Sequence, residues 1–324
     1  MDIEQLATAI RAGQLRALAK GITLIESRKP EHIQAAGILL ETLLPHTGAS
    51  LRIGISGVPG AGKSTFIEAF GGNLTASGHK VAVLAVDPSS QLSGGSILGD
   101  KTRMEDLARD PNAFIRPSPA GESLGGVARK TRETMLLCEA AGYDIIIVET
   151  VGVGQSEITV ASMVDFFLLL QLSGAGDELQ GIKKGVMEIA DAIVINKADG
   201  DNVARANIAR QQYLNALHIL RPRSNNWTVP VLTCSALNND GIDAVWQMLC
   251  DYRDAMRASG EFDERRRQQA RQWMWALLHD SLKELFINDK NVAAILPQVE
   301  QAVLDGITTP GAACRRLLER FRRM

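Results

Sequence analysis

The sequence predicts an α/β fold, a mainly parallel sheet with helical extensions at both ends. Three observations predict it. Short apolar runs rich in β-branched residues alternate with segments of helical spacing through the middle of the chain. Residues 1–49 and 261–324 show helical spacing and no such run. A glycine-rich turn separates the first apolar run from the helical segment that follows it.

In chain order, the N-terminal extension places Leu15, Leu18, Ile22 and Ile25, then Ile38, Leu39 and Leu43, at helical intervals. Strand-like runs follow at Leu51 to Ser56, Val81 to Val86, Ile145 to Val148, Phe166 to Leu172, Ala192 to Ile195 and Val229 to Thr233. Between them, helical spacing marks Thr65 to Leu74, Val127 to Ala141, Glu178 to Ile189, Val203 to Leu220 and Ile242 to Met256. Such alternation needs crossover helices on both faces of a parallel sheet. In the tail, Met274, Leu278, Leu282 and Leu285 recur every three to four positions, as do Ala313, Leu317 and Phe321. The expected organisation is a helical extension over 1–49, an α/β domain over 50–260 and a helical arm over 261–324.

Composition excludes several classes. The 324 residues are 45% hydrophobic and 22% charged, too apolar for a disordered chain. The net charge of −2 argues against nucleic acid or an anionic membrane as partner. The arginine-rich tail holds eleven basic against nine acidic residues, the balance of solvated helix faces. An apolar run such as Phe166 to Leu170 is far short of the roughly 20 residues that span a bilayer. The acidic start lacks the basic region of a signal peptide. Cys138, Cys234, Cys250 and Cys314 lie far apart with no CxxC spacing. We expect a cytoplasmic protein with reduced thiols.

Gly57-Val58-Pro59-Gly60-Ala61-Gly62-Lys63-Ser64 matches GxxxxGK[ST] between a strand and a helix, the context that motif requires. The glycines let backbone N–H groups converge on a phosphate, and the helix N-terminus adds positive potential. Gly57, Gly60, Ala61, Gly62, Lys63, Ser64 and Thr65 are the candidate cradle. Lys63 is expected on the β- and γ-phosphates and Ser64 on Mg²⁺. The fold class is therefore read as a P-loop NTPase G domain.

Asn196-Lys197-Ala198-Asp199 ends a strand and fits NKxD. The Asp199 carboxylate can accept from the N1–H and 2-amino group of guanine; adenine offers neither and would leave it unpaired. Lys197 can cover the base, and Asn196 can tie this loop to the phosphate loop. Ser235-Ala236-Leu237, after the next strand, is expected to present a backbone N–H to guanine O6. GTP and GDP, with Mg²⁺, are the ligands this implies.

Glu149-Thr150-Val151-Gly152 occupies the place of DxxG, with Glu149 near Mg²⁺ or its water and Gly152 near the γ-phosphate. Asp87, before Pro88, offers a further carboxylate at the same sheet edge, or caps a turn. Two loops rich in glycine and charge follow the pattern of nucleotide-sensing switches or of plain solvated loops. One is Ser89 to Arg103, with Asp100. The other is Ser173 to Lys184, with Asp177, Glu178, Gln180 and Lys183.

In this order VDPSS, GSILGDKTRM, SPAGESLGGVARKTRE, ETVGVGQSE and SGAGDELQGIKKG resemble the methylmalonyl-CoA-mutase-associated GTPases of the MeaB/ArgK group, over most of residues 50 to 255. The resemblance implies a homodimeric G-protein chaperone. It would bind the adenosylcobalamin-dependent mutase, gate loading of intact cofactor, and protect or reactivate the enzyme. GTP hydrolysis would be slow alone and faster on the mutase. It also implies that Asp87, Asp100 and Glu149 surround Mg²⁺ and the attacking water. Asp177 and Lys183 would lie in a partner-responsive switch, with Lys183 stabilising transition-state charge, and the tail would form the dimer arm. No Gln directly follows Gly152, and Gln155 is not assigned to water positioning. Two other functions share part of this pattern. A metallochaperone-type GTPase calls for a His-rich tract or paired Cys/His ligands, which the sequence lacks. A protein kinase or ATPase linked to amino-acid transport calls for no guanine signature.

Overall fold

The computed structural model describes residues 2–86, 104–117, 124–150, 156–173, 184–220 and 223–321. Among them, seven strands form one sheet: β1 (Leu51–Gly57), β2 (Val81–Val86), β3 (Ala113–Arg116), β4 (Ile145–Thr150), β5 (Phe166–Leu172), β6 (Ala192–Asn196) and β7 (Val231–Thr233). Their order is β3-β2-β4-β1-β5-β6-β7, and every neighbouring pair is parallel. The sheet thus has the parallel α/β architecture that the alternation of runs predicts.

Both faces of the sheet are covered, which is why its strands read as unbroken apolar runs. Along β4, Ile145 and Ile147 enter one core while Ile146 and Val148 enter the other. On the first face lie α4 (Lys63–Ala76), α5 (Glu105–Arg109) and α10 (Ile242–Ser259). They contribute Phe66, Phe70, Leu74, Leu107, Val245 and Leu249 to the core. On the second lie α6 (Leu124–Ala140), α7 (Ser156–Ala161), α8 (Lys184–Ile189) and α9 (Val203–Leu217).

The N-terminal helices α1 (Ile3–Arg11), α2 (Leu15–Glu26) and α3 (Pro30–Leu43) join this second core by packing against α6. Leu18, Ile22, Leu39 and Leu43 are fully buried there. Each such side chain contributes about 1.5–3 kcal/mol of burial. Arg116 of β3 pairs with Glu26, and Lys130 of α6 donates to the Glu26 carbonyl, fixing the end of α2.

A buried carboxylate ties α6 to β1. Glu139 accepts from Arg52 Nε at 2.8 Å and Nη2 at 3.0 Å, from the Gly48 N–H at 2.8 Å, and from Ser50 Oγ. Burial alone would raise its pKa. The Arg52 hydrogen bonds and charge, helped by Ser50 and Gly48, outweigh burial and hold the carboxyl below the ordinary glutamate value.

The strand reading missed β3, a four-residue edge strand in which only Ile115 is buried. β7 starts after Pro230, two residues later than its apolar run suggests. α9 ends at Leu217 rather than Leu220, and the helix expected from Glu178 is described from Lys184 onward.

The chain forms two compact units, Met1–Phe262 and Asp263–Met324. The second is helical: α11 (Glu261–Asn288) from Asp263 onward, α12 (Lys290–Ala293), α13 (Leu296–Leu304) and α14 (Pro310–Phe321). Met274, Leu278, Leu282 and Leu285 do share one helix, but they are 55%, 41%, 52% and 64% exposed. No helix among the described residues is long and apolar enough to cross a membrane.

Candidate functional site

Because all strands run the same way, the loops after β1, β4, β6 and β7 leave one edge of the sheet. β1 lies between β4 and β5, so its loop stands near the middle of that edge.

Gly57 closes β1 so near to β5 that a Cβ there would lie 2.2 Å from the Leu170 carbonyl oxygen. Gly62, at φ 82°, caps α4; a Cβ there would lie 2.8 Å from Asn196 Nδ2. Gly60 is also left-handed, at φ 80°. Ala61 is buried between the two. Lys63 opens α4 and curls back over the loop, its Nζ donating to the Gly57 carbonyl at 2.9 Å. Ser64 and Thr65 follow in the first helical turn, whose N–H groups have no partners within the helix. The arrangement gathers backbone donors, a helix N-terminus and an ammonium group about one loop, the chemistry of a polyphosphate site.

Asn196 ends β6 fully buried. Its Nδ2 donates to the Ala61 carbonyl at 2.8 Å, and its Oδ1 accepts from the Ala236 N–H at 3.0 Å and from Cys234 Sγ at 3.5 Å. One side chain therefore joins the loops after β1, β6 and β7. Burial, followed by the nearby charge of Asp240, pushes the Cys234 thiol up to about 12, so it keeps the proton it donates. Lys197 adopts φ 59°, a conformation costly for a non-glycine residue. Its stem lies near Gly62, whose Cβ would be 3.7 Å from Lys197 Cε. Ser235 Oγ donates to Asp199 Oδ2 at 2.5 Å and accepts from the Asn238 N–H at 3.2 Å. Asp199 is half-buried, and a carboxylate has lone pairs beyond the one Ser235 occupies. Leu237 is exposed beside this loop.

Glu149 lies next to the end of β4, 5% exposed and in register with Ile55 of β1. Thr150 Oγ1 donates to Ser56 Oγ at 2.9 Å in the buried layer next to it. The Glu149 carboxylate and Ser64 hydroxyl are hard oxygen donors, the type that suits Mg²⁺. Asp87, Asp100, Gly152, Asp177, Glu178, Gln180 and Lys183 lie outside the described residues.

Sequence reading missed several supports of the site. Asn202 Nδ2 donates to the Lys197 carbonyl at 2.6 Å and its Oδ1 accepts from Ser173 Oγ at 2.6 Å, bracing the strained lysine. Cys234 and the Ser56–Thr150 pair were missed too. Asn202 carried one signal, an amide after Gly200-Asp201 at a helix start; the others carried none.

A family model described as methylmalonyl-CoA mutase-associated GTPase MeaB matches residues 18–291. A putative GTPase of Caulobacter vibrioides is 57% identical over 99% of this chain and 98% of its own. The mouse methylmalonic aciduria type A homolog, mitochondrial, is 47% identical over 99% of this chain and 80% of its own. A crystal structure titled LAO/AO transport system kinase superposes with a TM-score of 0.79 at 44% identity, covering 99% of this chain and 97% of that one.

Proposed function

The chain belongs to the MeaB family of methylmalonyl-CoA mutase-associated GTPases, and from that membership we propose that it is a GTP-driven chaperone of an adenosylcobalamin-dependent methylmalonyl-CoA mutase. It hydrolyses GTP slowly alone and faster on the mutase. The nucleotide cycle assists loading of intact cofactor and protects or reactivates the mutase.

The observation that carries the guanine reading is the loop joined by Asn196, with Asp199 oriented by Ser235. Asp199 accepts from the guanine N1–H and 2-amino group. Adenine would leave a half-buried carboxylate without those donors. The backbone of Gly60 to Thr65 holds the phosphates. Lys63 moves from the Gly57 carbonyl toward the β- and γ-phosphate oxygens. Ser64 and Glu149, with Asp87 and Asp100, would hold Mg²⁺, which when bound neutralises phosphate charge. Lys183, in the partner-responsive segment with Asp177, Glu178 and Gln180, stabilises charge developing on the γ-phosphate once the mutase engages it.

The exposed stripe Met274, Leu278, Leu282 and Leu285 on α11 supports a homodimer built on the C-terminal arm. Four free thiols suit a reducing compartment, which we take to be the cytoplasm.

The test is GTP hydrolysis by the purified chain with and without a methylmalonyl-CoA mutase. The mutase should accelerate it. Lys183→Ala should lose most of the acceleration while keeping nucleotide affinity. A chain from which ATP displaces GDP as well as GTP does, or which the mutase leaves unchanged, is not this chaperone.

A further inference from the structure

Asn73 lies near the C-terminal end of α4, the helix that opens with Lys63. Asn239 lies in the loop after β7, which also carries Ser235, Ala236 and Leu237. Their side-chain amides are paired reciprocally. Asn73 Nδ2 donates to Asn239 Oδ1 at 3.0 Å, and Asn239 Nδ2 donates to Asn73 Oδ1 at 3.0 Å. Asn73 Nδ2 also lies 3.3 Å from Asp243 Oδ1, in the first turn of α10.

Two features separate this pair from an ordinary surface contact. Asn239 sits at φ 55°, where asparagine is tolerated better than most residues, so its backbone presents the amide to α4. The loop that bears it is closed on itself, because Ser235 and Asp240 exchange both backbone hydrogen bonds at 2.9 and 3.0 Å. A displacement at Asn239 therefore reaches Ser235 and Ala236 rather than dying out in slack chain. At its other end the loop is fastened through Ala236 N–H to Asn196, and so to Ala61. It is thus fastened directly to α4 through Asn73 and, through Asn196, to the phosphate loop from which α4 starts. Phe70 of α4 packs edge-on against Trp246 of α10 at 6.1 Å, a further contact between the two helices.

We infer that Asn73 and Asn239 form a positioning pair that fixes the separation between the phosphate and guanine subsites. The inference rests on the guanine reading above. A nucleotide bridges both subsites, so a preset separation spares it the cost of ordering the base loop on binding. Neither amide touches the nucleotide in this account; both act through the loop.

The experiment measures GDP dissociation rate, GDP affinity and competition by inorganic pyrophosphate in the full chain. Asn73→Ala removes the tie from the helix side. Asn239→Gly removes it from the loop side and keeps the left-handed backbone accessible. Each should speed GDP release about three- to tenfold, the scale of one or two hydrogen bonds, and leave the inhibition constant of pyrophosphate unchanged. The double variant should be no worse than the worse single one. Unchanged GDP release, an effect in only one of the two variants, additive effects, or equal weakening of GDP and pyrophosphate would each overturn the pairing. Failure of the guanine reading itself shows earlier and separately, as a parent chain that holds ADP as well as GDP.

Discussion

The Asn196 amide donates to the Ala61 carbonyl at 2.8 Å, so the end of β6 holds the phosphate loop in place across 135 residues of sequence. Because its oxygen also accepts from the Ala236 N–H, this buried side chain is the crossing point of three loops. Removing it leaves a buried carbonyl and a buried N–H without these partners.

Asn196→Ala should therefore cost about 2–4 kcal/mol of stability, from two unsatisfied buried groups. GDP affinity should fall at least about tenfold. Urea unfolding and GDP titration measure the two effects. A variant as stable as the parent would mean that water replaces both bonds.

Asp199→Asn should exchange base preference. An amide offers one acceptor and one donor where the carboxylate offers two acceptors, which suits the N1–H and 2-carbonyl of xanthine. Affinity for GDP should fall about 100-fold or more, and xanthosine diphosphate should become the tighter ligand. Competition between the two diphosphates checks this, and a persistent preference for GDP would remove Asp199 from base recognition.

Two glycine substitutions should separate packing from backbone strain. Gly57→Ala drives a Cβ to 2.2 Å from the Leu170 carbonyl and should cost about 3 kcal/mol or more. Gly60→Ala meets nothing within 4 Å and should cost only the left-handed backbone, about 1–2 kcal/mol. Comparable urea midpoints for the two would contradict the close approach of β1 and β5.

Acid stability should depend on Glu139. Its folded pKa is depressed, so its contribution is present above the unfolded value, about 4.3, and is lost as pH falls through the folded one. Glu139→Gln should be less stable than the parent at neutral pH, because Arg52 loses its charged partner, and its stability should fall less steeply below about pH 4.3. Parallel stability profiles for the two proteins would exclude Glu139 as the source of the acid transition.

The parts of this molecule legible in its sequence share one property: their residues are contiguous. The phosphate loop is eight consecutive residues and the guanine signature four, and each strand between two covered faces announces itself as an apolar run. β3 does not, because its apolar run is only Ala113 to Ile115, too short to stand out from a loop. Cys234 and the Ser56–Thr150 pair were hidden for a different reason. Each acts through a hydrogen bond to a residue distant in sequence, and no local pattern records that. The helix of the tail was legible, but its contacts were not. Helical spacing of Met274, Leu278, Leu282 and Leu285 shows a common face, but spacing says nothing of whether the same chain covers it.

The separation of 135 positions from Ala61 to Asn196 also has a meaning in time. A ribosome adding about 5–20 residues per second needs roughly 7–27 s to pass from one to the other. Throughout that interval the glycine loop is already made, while the side chain that clamps it is not. The polyphosphate cradle is thus among the early parts of this chain to be synthesised and among the late ones to be completed, and a nascent chain has no finished nucleotide site until β6 and β7 have joined the sheet.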